Sequence, residues 1–364
     1  MTVEVGESMN TDVPAVAVAG FLGAGKTTFV NHLLRHPTAR IGVIVNDFGD
    51  INIDAGLVTG QIDEPVSIAG GCVCCLSDSD GLEGALQKLA SRKLGLDAIL
   101  IEASGIADPL TLRHLLRFNG VKRVRPGGVI DVVDAVEYFH TIDSGSLPPT
   151  RFAAATLVVL NKTDRLDPQT REDTLARIEQ RVRERNPYAH IIRTHHGRID
   201  PALVFDAATR EEPAEELPLR SLLLDARTKH DAKHQTEPHQ HATAVSTQNS
   251  GVVDAGRLLD LLEEPPLGVY RIKGAVLVSS GRRIQRYQVN LVGRSIHIKA
   301  HPATASTLSG QRPANQQPNQ LVAVGLHVDV PITQARLVSA LEPTQGQDVE
   351  AGFRRLQRYR RLST

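Results

Sequence analysis

Cys72, Cys74 and Cys75 are the only thiols in a chain of 364 residues, and all three fall inside the stretch GGCVCCLSDS at 70–79. Cys74 and Cys75 are neighbours, and a disulfide between adjacent residues is strained, so a disulfide framework is a poor reading. A metal site or a redox site fits better. Thiolates are soft ligands suited to Zn²⁺, Co²⁺ or Cu⁺. One loop offers three ligands here and leaves a fourth place for a histidine, a carboxylate or water. Such a site is open and can exchange its metal, unlike a closed four-ligand structural site. Buried structural cysteines and a redox pair are the competing readings.

A second group of residues points to phosphate chemistry. GFLGAGKTT at 20–28 matches G-x-x-x-x-G-K-[ST] and sits between an expected strand and an expected helix, the setting the motif needs. Gly20, Gly23, Ala24 and Gly25 let backbone N–H groups curl around phosphate oxygens, and the helix N-terminus adds positive partial charge. Lys26 is placed to reach the β- and γ-phosphates, Thr27 to bind Mg²⁺, and Thr28 completes the run. LNKTD at 160–164 closes a later strand and fits N-K-x-D, a guanine-binding pattern. A carboxylate at Asp164 accepts from guanine N1–H and the exocyclic amine, donors that adenine does not offer together. Lys162 can lie over the base, and Asn161 can tie its loop to the P-loop.

Between these motifs lie acids. In IEASGIADP at 101–109, Glu102 ends a strand where Mg²⁺ is held through water, and Gly105 lets the backbone approach a γ-phosphate. VNDFGDINID at 45–54 brings Asp47, Asp50 and Asp54 near the expected γ-phosphate. They could orient water, bind Mg²⁺, bind a second metal, or simply cap a solvated turn. Lys26, Glu102 and Asp47 are thus the candidate catalytic residues. Four more metal-capable side chains, His230, His234, His239 and His241, sit in KHDAKHQTEPHQH at 229–241, either a weak metal relay or a solvated linker.

Elements must position these residues. Strands are expected at 13–21, 41–47, 97–103, 127–135, 155–162 and 190–194, alternating with helical stretches near 26–35, 82–93, 108–118 and 167–186. That alternation predicts an α/β P-loop NTPase domain with a mostly parallel sheet. The pattern changes after 206. We expect a frayed N-terminus at 1–12, the P-loop domain at 13–206, a charged His-rich linker at 207–251, and a smaller α+β domain at 252–364 with antiparallel strands.

Composition bounds the rest. Lys+Arg and Asp+Glu are both 41, so the whole-chain charge gives no pull toward nucleic acid or membrane. No stretch approaches the roughly 20 apolar residues of a membrane span, and MTVEVGESMNTDVP has no signal-peptide pattern. Clustered thiols with no other cysteine suit a reducing compartment. The expectation is a cytoplasmic protein, monomer or homodimer.

The order GFLGAGKTT, GCVCC, EASGIADP, NKTD resembles the CobW-type metallochaperone GTPases, relatives of the urease and hydrogenase nickel-insertion GTPases. YRIKGAVLV resembles the start of that family's C-terminal domain, so the likeness covers nearly the whole chain. The resemblance implies a Mg²⁺-dependent GTPase that binds a transition metal, Zn²⁺ or Co²⁺, at Cys72, Cys74 and Cys75. It would deliver that metal to a client metalloprotein or cofactor pathway. The family often has N-E-F-G-E in its switch region, where this chain has Asn46-Asp47-Phe48-Gly49-Asp50. A passive metal buffer, a redox sensor and a small-molecule P-loop kinase are the rivals; GAGKTT and NKTD argue against the buffer, and NKTD and the thiols against the kinase.

Overall fold

The first strand is apolar from end to end because elements cover both of its faces. We analysed a computed structural model that describes residues 12–36, 39–45, 66–67, 80–103, 108–117, 120–144, 149–205, 241–279, 284–301, 318–343 and 349–363. Strand β1 (Val13–Gly20) is buried at all eight positions. Helix α1 (Lys26–Leu34) follows, then β2 (Ile41–Val45), β3 (Val66–Ser67), α2 (Asp80–Leu89), β4 (Ala98–Glu102), α3 (Pro109–Arg117) and β5 (Val124–Asp134). A short helix α4 (Tyr138–Thr141), β6 (Leu157–Asn161), α5 (Arg171–Arg185) and β7 (His190–Arg193) complete this part. The seven strands form one parallel sheet in the order β3-β2-β4-β1-β5-β6-β7. The α/β reading holds.

Packing explains the order. Ala15, Ala17 and Ala19 of β1 share a cluster with Leu82, Leu86 and Leu89 of α2 and Leu112 and Leu116 of α3. Alanines there let helices approach the sheet closely. Val158 and Leu160 of β6 pack with Leu175, Ile178 and Val182 of α5. Helix α3 starts as its sequence predicts: Asp108 accepts from the N–H groups of Leu110 and Thr111, both at 3.2 Å, with Pro109 at the first position.

Two buried acids of this unit are paired with arginines. Arg151 Nε and Nη2 donate to the two oxygens of Asp131, at 2.7 and 2.6 Å. Arg181 makes the same bidentate contact with Asp143, which also accepts from the Tyr138 hydroxyl at 3.1 Å. The Arg181 hydrogen bonds hold the Asp143 carboxyl below its ordinary range, and burial next to Asp143 raises the Tyr138 phenol.

The chain divides into two compact units, residues 1–239 and 240–364. The second is a five-stranded antiparallel sheet in the order β11-β10-β9-β12-β8, made of β8 (Thr243–Asn249), β9 (Val269–Ser279), β10 (Ile284–Val292), β11 (Ser295–Ala300) and β12 (Asn319–Gly325). Helices α6 (Ala255–Glu263), α7 (Val330–Ala340) and α8 (Val349–Leu362) accompany it. Leu258, Leu259 and Leu262 of α6, Leu337 of α7 and Leu356 of α8 share a core with Ile272, Val276, Val289 and Leu291. Asp254 caps α6 through Arg257 N–H at 3.0 Å, and Asp329 caps α7 through Ile332 N–H at 3.0 Å.

Four elements depart from the sequence reading: β3, α4, β8 and α8. Residues 243–249, expected within the linker, form the edge strand β8 and pair with β12. Only Val245 of that strand is buried, so its sequence carries little apolar alternation. Helix α8 was not expected either; its apolar residues Phe353, Leu356 and Tyr359 recur every third position between arginines.

Candidate functional site

Four strand ends converge at the carboxyl edge of the parallel sheet: Gly20 of β1, Glu102 of β4, Asp134 of β5 and Asn161 of β6. Ligands of open α/β sheets bind at such edges, because loops leaving adjacent strands diverge there.

The P-loop turns through left-handed backbone. Gly23 has φ 78° and Gly25 φ 99°, and Gly25 caps α1. A Cβ on Gly25 would come within 2.5 Å of Asn161 Nδ2, so glycine is required for space as well as for φ. Ala24 is fully buried, while Lys26 and Thr27 are half-buried and Thr28 is exposed. Lys26 Nζ donates to the carbonyls of Gly20 at 3.2 Å and Phe21 at 3.4 Å.

Thr27 Oγ1 donates to Glu102 Oε1 at 2.6 Å, across 75 residues of sequence. Glu102 is buried, so the hydroxyl–carboxylate pair is held by the sheet rather than by a surface turn. Its donor atoms are hard oxygens at a helix N-terminus, the set that suits Mg²⁺ and not a soft metal.

Asn161 joins the two motifs. Its Nδ2 donates to Ala24 O at 2.9 Å, and its Oδ1 accepts from Gly197 N–H at 2.9 Å. One buried side chain thereby spans the P-loop, the end of β6 and the loop after β7. Lys162 adopts φ 61°, which costs a non-glycine residue roughly 1–2 kcal/mol. Its Nζ is 2.6 Å from Asp134 Oδ2. Thr163, Asp164 and Arg165 form a short turn, anchored where Thr163 N–H and Oγ1 both donate to Thr194 O. Asp164 is exposed. His195 and His196 sit in the loop before Gly197, their rings 5.7 Å apart.

Asp134 escaped the sequence reading, which took 127–135 as a strand only. The available signal was an acid, Asp134, at the carboxyl end of a strand that neighbours the N-K-x-D strand. The other expected site residues, Asp47, Asp50, Asp54, Cys72, Cys74, Cys75 and Gly105, lie outside the described residues, as do His230, His234 and His239. Among the described residues no group of three His, Cys, Asp or Glu side chains is arranged to hold a metal, and no helix is long and apolar enough to cross a membrane.

Known proteins share both units. The family described as CobW/HypB/UreG, nucleotide-binding domain, matches residues 14–193. The Cobalamin synthesis protein cobW C-terminal domain matches residues 242–341. The chain is 28% identical over 295 residues to a zinc chaperone CobW of Sinorhizobium sp, covering 72% of this chain and 78% of that one. It is 31% identical over 202 residues to the zinc chaperone YjiA of Escherichia coli, covering 53% of this chain and 61% of that one. A crystal structure of Zn(II)-bound YjiA GTPase from E. coli aligns with 92% of this chain and 100% of its own, at 19% identity and a TM-score of 0.38.

Proposed function

Because the chain belongs to the CobW family, with the family's nucleotide-binding and C-terminal domains in order, we propose that it is a Mg²⁺-dependent GTPase that carries a transition metal ion. Zinc is the first candidate, since its relatives CobW of Sinorhizobium and YjiA of E. coli are named zinc chaperones; cobalt is the second. Cys72, Cys74 and Cys75 supply the thiolates for this cargo. A client metalloprotein or a metal-cofactor pathway receives it.

The observation that carries the reading is Asn161, whose amide ties N-K-x-D to Ala24 of the P-loop at 2.9 Å. Phosphate site and base site then form one unit, as a guanine nucleotide requires. Asp164 accepts from guanine, and Lys162 lies along the base. Gly20, Gly23, Ala24, Gly25, Thr28 and Gly105 surround the phosphates with backbone. Lys26 turns from the carbonyls of Gly20 and Phe21 to the β- and γ-phosphate oxygens. Thr27 and Glu102 would hold Mg²⁺, which when bound offsets the charge that develops on the departing diphosphate. Asp47 orients the attacking water, and the products are GDP and phosphate.

Metal handling follows from linkage. The acids of the switch segment and Gly105 flank the thiol loop in sequence, so GTP and GDP bias it differently. If nucleotide alters metal affinity by some factor, metal must alter nucleotide affinity by the same factor. The test is competition with a chromogenic chelator for Zn²⁺ and Co²⁺ in Mg-GTP and in Mg-GDP. We expect different affinities in the two states, and loss of that difference in a Cys74→Ser, Cys75→Ser variant. Equal affinity in both states removes the coupling and with it the carrier function.

A further inference from the structure

The proposed guanine site contains a carboxylate that no motif assigns. Asp134 ends β5, is itself buried, and pairs in register with Asn161 of β6. Its two oxygens have separate tasks. Oδ1 accepts from the N–H groups of Val136 at 3.0 Å and Glu137 at 3.4 Å, which locks the carboxylate onto the turn that follows the strand. Oδ2 lies 2.6 Å from Lys162 Nζ. The carboxylate therefore cannot follow the lysine; the lysine is held by the carboxylate.

Lys162 is constrained from its other end too. Its backbone sits at φ 61° and begins the turn that carries Asp164. Ala135 N–H donates to Asn161 O at 3.0 Å, which joins the two strand ends at the same level. A lysine anchored at Cα and at Nζ presents its four methylenes as a rigid strip. An unanchored lysine would lose rotamer freedom on binding a base, whereas this one has lost it already.

We propose that Asp134 is a positioning residue for nucleotide recognition: through the Lys162 ammonium it pre-organises the lysine stem as the wall against which a guanine base lies. The inference rests on the guanine-binding reading of N-K-x-D. It assigns Asp134 no contact with the nucleotide and no part in hydrolysis. It also gives the buried acid that ends β5 a task of its own, distinct from that of Asp131, which pairs with Arg151.

The experiment is a double-mutant cycle on the full chain, read as the Kd of a fluorescent GDP analogue, with the ADP analogue as control. The variants are Asp134→Asn, Lys162→Met and both together, with melting temperatures measured in parallel. Asparagine keeps an oxygen for Val136 N–H and removes the charge. Methionine keeps an apolar stem and removes the ammonium. Each single change is expected to weaken GDP binding about tenfold, as loss of one partner of a part-buried pair does. The double variant is expected to be no weaker than the singles, because both act on one strip. Asp134→Glu, which retains the charge, is expected to bind GDP more tightly than Lys162→Met; that comparison carries the test if the asparagine variant does not fold, and equal affinities there overturn the proposal. A purely structural role predicts lower melting temperature with an unchanged ratio of GDP to ADP affinity, and that result overturns the proposal. So do additive effects in the cycle, or wild-type GDP affinity in Asp134→Asn. If the wild-type chain itself fails to prefer GDP over ADP, the guanine reading falls, and this inference falls with it.

Discussion

Individual side chains divide the proposed nucleotide site into a part that selects the base and a part that holds the phosphates. Asp164, in the exposed turn after β6, belongs to the first. Its carboxylate suits the two donors of guanine, and xanthine replaces the guanine amine with an acceptor. Asp164→Asn exchanges an acceptor for a donor, so GTP affinity should fall roughly 10- to 100-fold while XTP binding improves. Competition of both nucleotides against a labelled GDP analogue measures it; an unchanged GTP-to-XTP ratio would place the base elsewhere. Asn161 belongs to both parts, since its bonds to Ala24 O and Gly197 N–H are each 2.9 Å. Asn161→Ala should weaken the P-loop for any nucleoside triphosphate. Loss of ATP and GTP affinity by the same factor is the expected result, in contrast to the base-selective Asp164 change.

At the scale of elements, strands β5 to β7 carry buried charge whose cost depends on pairing. Asp131 in β5 is fully buried and meets both donors of Arg151. Arg151→Ala should destabilise the unit by about 3–5 kcal/mol, because it leaves the carboxylate buried without its counter-ion. Adding Asp131→Ala should recover part of that loss in urea unfolding, and no recovery would mean that arginine packing, not charge, is what matters. His190 opens β7, where burial, reinforced by Arg183, lowers its imidazole from 6.5 to about 4. Between these values the unfolded chain binds a proton that the folded chain refuses. Stability should therefore fall as pH drops from 6.5 toward 4, by at most about 3 kcal/mol, and stay flat above. His190→Gln should flatten that slope in urea midpoints, and an identical slope would assign it to other groups. Element by element, the legible parts were those with a strong local signal. β1 and the Asp108–Pro109 start of α3 declare themselves by unbroken burial and by a cap. β8 does not, because an edge strand with one buried residue has no period to read. Thr27 and Glu102 were each legible through the P-loop logic, but Asp134 makes sense only once β5 lies beside β6, and that adjacency is a property of sheet order.

For the whole molecule, a net charge of zero conceals a division. Residues 1–239 carry 26 Lys and Arg against 33 Asp and Glu, whereas 240–364 carry 15 against 8. None of the five strands of the second sheet contains an acid. The balanced sum is thus made of two units of opposite sign. The acidic unit contains the thiols at 72–75 proposed to take a cation. Charges farther away than a Debye length, about 10 Å at 0.1 M salt and about 3 Å at 1 M, are largely screened, so an arriving ion responds to its local unit rather than to the total. Steering by local carboxylates should make metal association fast and salt-sensitive. For the full-length chain, the association rate of Co²⁺ in stopped flow should fall at least about threefold between 0.1 M and 1 M salt. A chain that is electrically neutral wherever the ion meets it would show no such fall. A flat rate would therefore mean that the excess acids lie away from the thiols, and that charge in this unit has another role than drawing metal to its site.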